Sequence, residues 1–381
     1  MKAPSAHGWE VLVAGAGPVG LTLANLLGLH GVRTLVIERL AEPIVAPRAV
    51  GLDDECLRVW QSCGLIEAIL PHVHQGDEGD TVFTYRSARG RPLFRMSQHG
   101  RPYGYARGLV FLQHRAEEVL REGVRRFPNV EVRRGWTVET VDTSGGGARL
   151  SGRDAAGAPW SESAPYAVGC DGGRSTVRAA LGIPMDGRTY PTPWLIVDAH
   201  SATAARENRR EGVEVWCDAR RPTATMQLPH GFRRWEFLLR PGERPEAFLD
   251  DARILGLIAS RKPVADYRIV RKLAFAYSSR IARRYRSGPV FLAGDACHVT
   301  PPFAGQGLAT GLRDVANLAW KLALVVRHGQ RDALLDTYEQ ERRPHQLRML
   351  ALARRMGVAM MPSGRLDRKS TRLNSSHVSQ S

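Results

Sequence analysis

The stretch from Val11 to Glu38 limits the possible folds more than any other part of the chain. Val11-Leu12-Val13-Ala14 is a short apolar run that reads as a buried strand. It leads directly into Gly15-Ala16-Gly17-Pro18-Val19-Gly20, a G-x-G-x-x-G series. An apolar helix from Leu21 to His30 follows and is closed by Gly31; a second strand, Val32 to Ile37, then ends on Glu38. Each glycine has a separate physical task. Gly15 makes the tight turn, Gly17 lets a pyrophosphate approach the backbone, and Gly20 lets helix and strand pack closely. The helix N-terminus faces the phosphates, and an acidic residue at the end of the second strand suits the hydroxyls of an adenosine ribose. Alone, the glycine series is a weak signal. With strand, helix, second strand and Glu38 in place it predicts a dinucleotide site, with Ala16 and Pro18 in the same loop and Arg39 just beyond.

A second stretch, Val290 to Gly329, has the same character. Val290-Phe291-Leu292-Ala293 ends at Gly294-Asp295, a carboxylate at the end of a buried strand, where open α/β sheets bind ligands. Pro301 and Pro302 form a stiff wall without backbone donors. Gly305 and Gly307 admit close backbone approach, and Leu308 begins a long helix stopped by Gly329. The N-terminus of that helix suits a ligand that becomes negative. Between these stretches, Tyr166 to Cys170 reads as a strand ending in Asp171-Gly172, which fits either a helix cap or a ligand contact. Arg48, after Pro47, lies in a loop that can reach a pyrophosphate.

The remaining segments fill in the architecture. Thr81 to Arg95 alternates around Gly90 and predicts a hairpin. Val130 to Arg134, Trp136 to Asp142 and Ala148 to Gly152 read as short antiparallel strands. Trp194 to Ala199, Val213 to Asp218, Thr223 to Leu228, Arg233 to Arg240 and Tyr267 to Tyr277 read as a mostly antiparallel sheet, without phosphate-binding signals, that walls a substrate pocket. Its candidate pocket residues are Trp216, Gln227, His230 and Trp235, with Pro302 opposite. No protein nucleophile or catalytic residue is identified. Asp53, Asp54 and Glu55 start a helix and complement its dipole. Ala333 to Met360 reads as helix. Residues 362–381 are polar and aperiodic; they predict disorder and resemble non-native read-through.

Composition excludes several classes. Five cysteines without a Cys-x-x-Cys pair argue against a disulfide framework or a zinc site, and Cys297 and His298 read as local packing rather than metal ligands. No apolar run spans a bilayer and no secretory leader is visible, so a cytoplasmic protein without membrane insertion is expected. The net charge of +16 comes almost entirely from scattered arginines. No nucleic-acid motif accompanies them, so anionic cofactors and substrates are expected in place of nucleic acid.

Three motifs stand in order: Gly15-x-Gly17-x-x-Gly20, Asp171-Gly172 and Gly294-Asp295. The third is followed by Pro301-Pro302, Gly305-Gln306-Gly307 and Arg313-Asp314-x-x-Asn317-Leu318-Ala319-Trp320-Lys321-Leu322. Together they resemble the flavoprotein aromatic hydroxylases of the para-hydroxybenzoate hydroxylase-like class, from Val11 to about Arg343. Pro47 to Glu55, Leu228-Pro229-His230, Arg234-Trp235-Glu236-Phe237 and Pro241-Gly242-Glu243 resemble members acting on hydroxyphenyl-propionic acids.

The resemblance implies an α/β fold with an α+β insert: a Rossmann-like FAD-binding domain with an inserted, mostly antiparallel β-sheet substrate domain. The FAD-binding part would comprise residues 8–76, 105–185 and 280–361, and the substrate part residues 77–104 and 186–279. It also implies FAD as cofactor, NADH or NADPH and O2 as co-substrates, and hydroxylation of a phenolic acid such as 3-(3-hydroxyphenyl)propionate or 3-hydroxycinnamate through a flavin C4a-hydroperoxide. Glu38 would bind the adenosine ribose, Arg48 and Gln113 the pyrophosphate–ribityl region, Asp171 the pyrophosphate side and Asp295 the ribityl chain. The backbone after Gly305 would hold the isoalloxazine edge. A homodimer fits the class. Two departures stand out: Ala309 occupies a position where members commonly have Asn, and the thioredoxin-like C-terminal domain of many relatives is not seen. A related monooxygenase acting on another phenol or polyketide, and a truncated, inactive FAD-binding fragment, are therefore the alternatives. The Trp-x-Trp-x-Ile-Pro motif of flavin halogenases is lacking.

Overall fold

Val11–Ala14 is buried along its whole length and forms the centre of a parallel sheet. It pairs in parallel with Thr34–Glu38 on one side and Tyr166–Gly169 on the other. A strand buried on both faces has to be apolar throughout rather than alternating. The computed structural model describes residues 8–46, 48–74, 82–207, 211–248, 250–263 and 266–360. Pro47, Thr81 and the expected disordered tail lie outside the described residues.

The parallel sheet has six strands, in the order Arg286–Ser287, Val290–Leu292, Tyr166–Gly169, Val11–Ala14, Thr34–Glu38, Val130–Arg134. Only the Arg286–Ser287 edge runs antiparallel to its neighbour. The helix Pro18–Leu29 starts with proline in its first turn, where the missing N–H costs nothing. It packs against Gly307–His328 and Gln113–Val124. Val130–Arg134 was expected to be antiparallel; it joins this sheet in parallel beside Thr34–Glu38. The helix Gln113–Val124 just before it supplies the crossover that a parallel strand requires. Thr137–Asp142, Ala148–Arg153 and Pro159–Ala164 form a separate three-stranded antiparallel sheet, whose last strand was not anticipated.

An eight-stranded sheet makes the second large layer. Its order is His298–Val299, Arg268–Ala282, Met185–His200, Phe232–Leu238, Thr223–Gln227, Val213–Cys217, Val82–Ser87, Pro92–Ser97. Only the pairing of Val213–Cys217 with Val82–Ser87 is parallel. Met185–His200 begins nine residues before the expected Trp194. It runs through Pro191 and Pro193, and the register shifts between Thr189 and Pro193, because proline supplies no ladder donor. At its other end the sheet reaches His298–Val299, just after the Gly294–Asp295 turn. The two large sheets therefore meet at that turn.

Strand alternation gives the eight-stranded sheet two distinct faces. Leu195, Val197, Trp216, Trp235 and Phe237 pack on one face with Phe248, Ile254 and Ile258. Trp194, Val213, Val215, Ala224, Met226, Arg234, Glu236 and Tyr277 face the cavity described below. Among the described residues no helix is long and apolar enough to cross a membrane.

Candidate active site

At the end of Val11–Ala14 the chain turns at Gly15, whose φ of +102° is open to glycine and strained for other residues. A Cβ there would lie 2.5 Å from the carbonyl oxygen of Cys170, and one on Gly20 would collide with the carbonyl oxygen of Gly15. At Gly17 a Cβ would meet nothing within 4 Å, so that position opens onto free space. Gly15, Ala16, Gly17 and Pro18 line a cavity of about 1130 Å³, whereas Gly20 serves the packing beneath it. Glu38 bridges this loop to the strand end: one carboxylate oxygen accepts from the Ala16 N–H at 2.8 Å and the other from the Leu40 N–H at 2.9 Å. Glu38 and Arg39 both line the cavity.

The opposite wall comes from the other two motifs. Asp171 accepts from the Val177 N–H at 3.1 Å through one oxygen, which caps the short helix Thr176–Ala180. Its second oxygen is buried without a partner, and the residue lines the cavity. The cap that the sequence suggested for Asp171 is made by one oxygen of the carboxylate, and the other remains without a partner. Gly294, at φ +64°, packs against Val19 rather than lining the cavity. Asp295 does project into it, with its side chain open to the cavity; desolvation by the surrounding protein raises its carboxyl above the usual range, partly offset by His298 and Arg48. Pro302, Gly305, Gly307 and Leu308 line the same wall. Gly305 is left-handed at φ +62°, and the helix Gly307–His328 begins without a side-chain cap, which leaves its N–H dipoles facing the cavity end.

Arg48 and Gln113 also line the cavity, where they share Glu117. Arg48 is ion-paired with Glu117, and Gln113 donates to it at 2.6 Å while accepting from the Ala49 N–H at 2.5 Å. Glu117 escaped the sequence reading because it is one polar residue on an amphipathic helix. A second cluster was missed as well. Arg313 pairs with Asp53 and Glu55, and its Nη1 donates to Gln306 Oε1 at 3.0 Å. Gln306 in turn donates to Asp53 at 3.3 Å. Asp53 also caps its own helix through the Cys56 N–H, the dipole role expected for it, but its second oxygen belongs to this cluster.

Beyond the glycine-lined end the cavity becomes aromatic and apolar. Trp194, Tyr277 and Phe303 lie within 6.0 Å of one another by ring centroids, and Met349, Leu352 and Met356 of the last helix close over the space. Four residues assigned to this pocket from sequence do not line it. Trp216 and Trp235 are on the other face of the sheet, in its apolar core, because their strand positions have the opposite parity to Val215 and Glu236. Gln227 is buried, donates to the Phe232 carbonyl and accepts from Arg233. His230, left-handed at φ 57°, lies at a turn with its Nε2 3.1 Å from His72 Nδ1. Only Pro302 of that set borders the cavity.

Cys297 and His298 are fully buried, and with Asp314 they bring ligand-type atoms within 4.8 Å of one another. Asp314 is already engaged. It meets His298 Nε2 at 2.6 Å, accepts from Arg342 Nε at 2.9 Å and from the Gly294 N–H at 3.2 Å. A guanidinium on the same carboxylate opposes a cation there, so the cluster reads as a hydrogen-bonded core that anchors the Gly294 turn.

Residues 8–353 match a family model described as FAD binding domain. The chain is 40% identical over 363 residues to 3-(3-hydroxy-phenyl)propionate/3-hydroxycinnamic acid hydroxylase of Paraburkholderia xenovorans (strain LB400), covering 94% of this chain and 57% of that protein. It is 41% identical to the protein of the same name from Mycobacterium sp. (strain JLS), covering 93% and 61%. The chain thus spans less than two thirds of the length of these relatives. Among solved structures, p-nitrophenol 4-monooxygenase from Pseudomonas putida DLL-E4 superposes with a TM-score of 0.84 at 27% identity, covering 96% of this chain and 92% of that one. Aklavinone-11 hydroxylase in complex with FAD and aklavinone gives 0.82 at 28% identity, covering 96% and 70%.

Proposed function

Because the chain belongs to the FAD binding domain family, we propose that it carries the flavin and substrate sites of an aromatic hydroxylase acting on a phenolic acid, such as 3-(3-hydroxyphenyl)propionate or 3-hydroxycinnamate. The observation that carries this reading is one continuous cavity, lined by glycines at one end and by aromatic side chains at the other.

The residues at the glycine end fit FAD. Gly17, Gly305 and Gly307 leave open space where a Cβ would stand, and the unpaired oxygen of Asp171 awaits a donor. Glu38 would hold the adenosine ribose, Gly17 and the following helix N-terminus the pyrophosphate, Arg48 and Gln113 its ribityl side, and Asp295 the ribityl hydroxyls. The Gly305–Gly307 backbone and the helix that follows would meet the flavin ring. When bound, FAD would supply the electron transfer from NADH or NADPH to O2, one atom of which enters the ring while the other leaves as water. The protein's part is placement. Trp194, Tyr277 and Phe303 hold an aromatic ring flat, and Met349, Leu352 and Met356 keep water away. A cytoplasmic location and a homodimer belong to the same reading.

The test is oxidation of NADH and of NADPH by FAD-loaded protein, with and without 3-(3-hydroxyphenyl)propionate, with products weighed by mass spectrometry. Stimulated oxidation with a one-oxygen gain is expected. A yellow protein without stimulation, also with other phenols, would sink the hydroxylase reading for this chain and leave FAD binding intact.

A further inference from the structure

The aromatic end of the cavity contains one acidic group whose environment suits a ligand better than a structural partner. Glu236 lies on the cavity face of Phe232–Leu238, and among the described residues it is the one carboxylate the eight-stranded sheet contributes to the cavity. Its neighbours across the sheet are Ala224 on one side and Ile196 on the other. Neither can pair with it, and the small Ala224 leaves room beside it. The nearest cation, Arg234, is committed elsewhere: its Nε and Nη2 donate to the two oxygens of Asp198 at 2.8 and 3.0 Å, and its Nη1 donates to the Arg48 carbonyl. Arg271 adds a further bond to Asp198 at 3.3 Å.

Glu236 has one hydrogen bond among the described residues, a long one from the Tyr277 hydroxyl at 3.4 Å. Tyr277 lines the cavity too, packed between Trp194 and Phe303, the latter carried by the loop that leads to Gly305. The carboxylate is therefore half-buried, oriented, without a dedicated cation, and reachable from the space where an aromatic ring would lie. An aromatic ring lying in the cavity would shut water away from this carboxylate, and a carboxylate without water needs a donor, which the ring's own hydroxyl can supply.

Resting on the hydroxylase reading above, we infer that Glu236 is a catalytic residue: its carboxylate binds the phenolic hydroxyl of the substrate and accepts its proton, while Tyr277 orients the carboxylate. The phenolic O–H bond breaks toward a carboxylate oxygen, which becomes a carboxylic acid. The electron pair stays on the phenol oxygen and spreads to the ortho and para ring carbons, which makes them better nucleophiles. Burial raises the Glu236 carboxyl above its ordinary range, the positive charge of Arg234 opposes this, and the negative charge of Asp198 adds to it. A raised carboxyl is a stronger base, closer to the phenol in proton affinity. Tyr277 is held well above the ordinary tyrosine range by burial and by the charge of Glu236, so it remains a neutral donor.

The experiment compares binding of 3-(3-hydroxyphenyl)propionate and of 3-phenylpropionate, which lacks the hydroxyl, to FAD-loaded protein by calorimetry. Wild type should prefer the hydroxylated ligand by about tenfold or more, the usual size of a hydrogen bond to a charged group. Glu236→Leu, which Ala224 and Ile196 accommodate, should keep its FAD and lose the preference. Glu236→Gln, with a neutral acceptor, should fall between the two. The wild-type preference should weaken as pH falls through the raised carboxyl and stay flat with pH in Glu236→Gln. Tyr277→Phe should reduce the preference without abolishing it. Wild type without any hydroxyl preference would overturn the assignment and leave FAD binding standing. A preference that survives in Glu236→Leu would overturn it and leave the phenol reading standing.

Discussion

Arg313 is ion-paired with Asp53, 260 positions earlier in the chain. The contact ties the helix Gly307–His328 to the N-terminus of Asp54–Ser62, and Gln306 bridges the two side chains. The loop between Pro302 and Gly307 is thereby fixed from beneath. Removing the guanidinium leaves Asp53 and Glu55 close together and unpaired, so Arg313→Ala should cost about 3 kcal/mol of stability. It should also weaken FAD binding by about tenfold, because the loop loses its anchor. Urea unfolding and a flavin-fluorescence titration measure the two effects. Arg313→Lys should restore part of the stability, and full FAD affinity in Arg313→Ala would show that the loop does not need this anchor.

Gly17 and Gly20 separate binding from folding. Gly20→Ala would push a methyl group into the Gly15 carbonyl and should cost about 1–3 kcal/mol in FAD-free protein. Gly17 has an ordinary φ of −74° and open space around it. Gly17→Ala should leave FAD-free stability within about 0.5 kcal/mol while reducing FAD affinity by at least about tenfold. Denaturant midpoints with and without FAD test both. A Gly17→Ala protein that binds FAD normally would remove the pyrophosphate from that position.

The parts of the molecule legible in the sequence are those set by local chemistry. The turn at Gly15, the start of the helix at Gly307 and its stop at the left-handed Gly329 each follow from residues a few positions apart. The site's polar clusters could not be read in this way, since Glu117, Asp53 and Arg313 act through partners far along the chain. The substrate wall failed for a different reason. Trp216 and Trp235 attract attention as large amphipathic side chains, but parity decides which face a strand residue joins, and a shift of one position exchanges the faces. With Trp235 in the core, its neighbours Arg234 and Glu236 had to face the cavity. Val130–Arg134 looked like its antiparallel neighbours because a short strand does not record its partner's direction.

Acid should act on Glu211 in a predictable window. Burial would raise its carboxyl, but Lys262, at 2.7 Å, and Arg233 together hold it down at about 2. A carboxyl with a lowered folded value stabilises the fold above its ordinary value of 4.5, and that contribution is lost as pH falls toward 2. The side chain is partly exposed, so screening limits the effect to at most about 1 kcal/mol. Glu211→Gln should be less stable than wild type at pH 6, and the two should converge near pH 2. Urea midpoints at both pH values, in low salt, decide this; a constant gap between the proteins would mean that the two cations contribute nothing to its titration.

Asp314 presents the opposite balance, a fully buried carboxylate with both oxygens hydrogen-bonded. Burial opposes its charge, yet His298 and Arg342 together hold its carboxyl below the ordinary range. Asp314→Asn keeps the shape and removes the charge, which leaves the Arg342 guanidinium in the interior without its counter-ion. The expected loss is about 3–5 kcal/mol. Arg342→Leu should cost a similar amount, because Asp314 then loses the guanidinium that balances its charge. If the two groups act as a pair, the double variant should be less destabilised than the sum of the single ones by more than about 1 kcal/mol. Additive losses in urea unfolding would mean that each group is held by its other neighbours. Since Asp314 also holds the Gly294 N–H, Asp314→Asn should release FAD faster than Arg342→Leu, which keeps that contact, and a stopped-flow dilution of the flavin-loaded proteins would measure the difference.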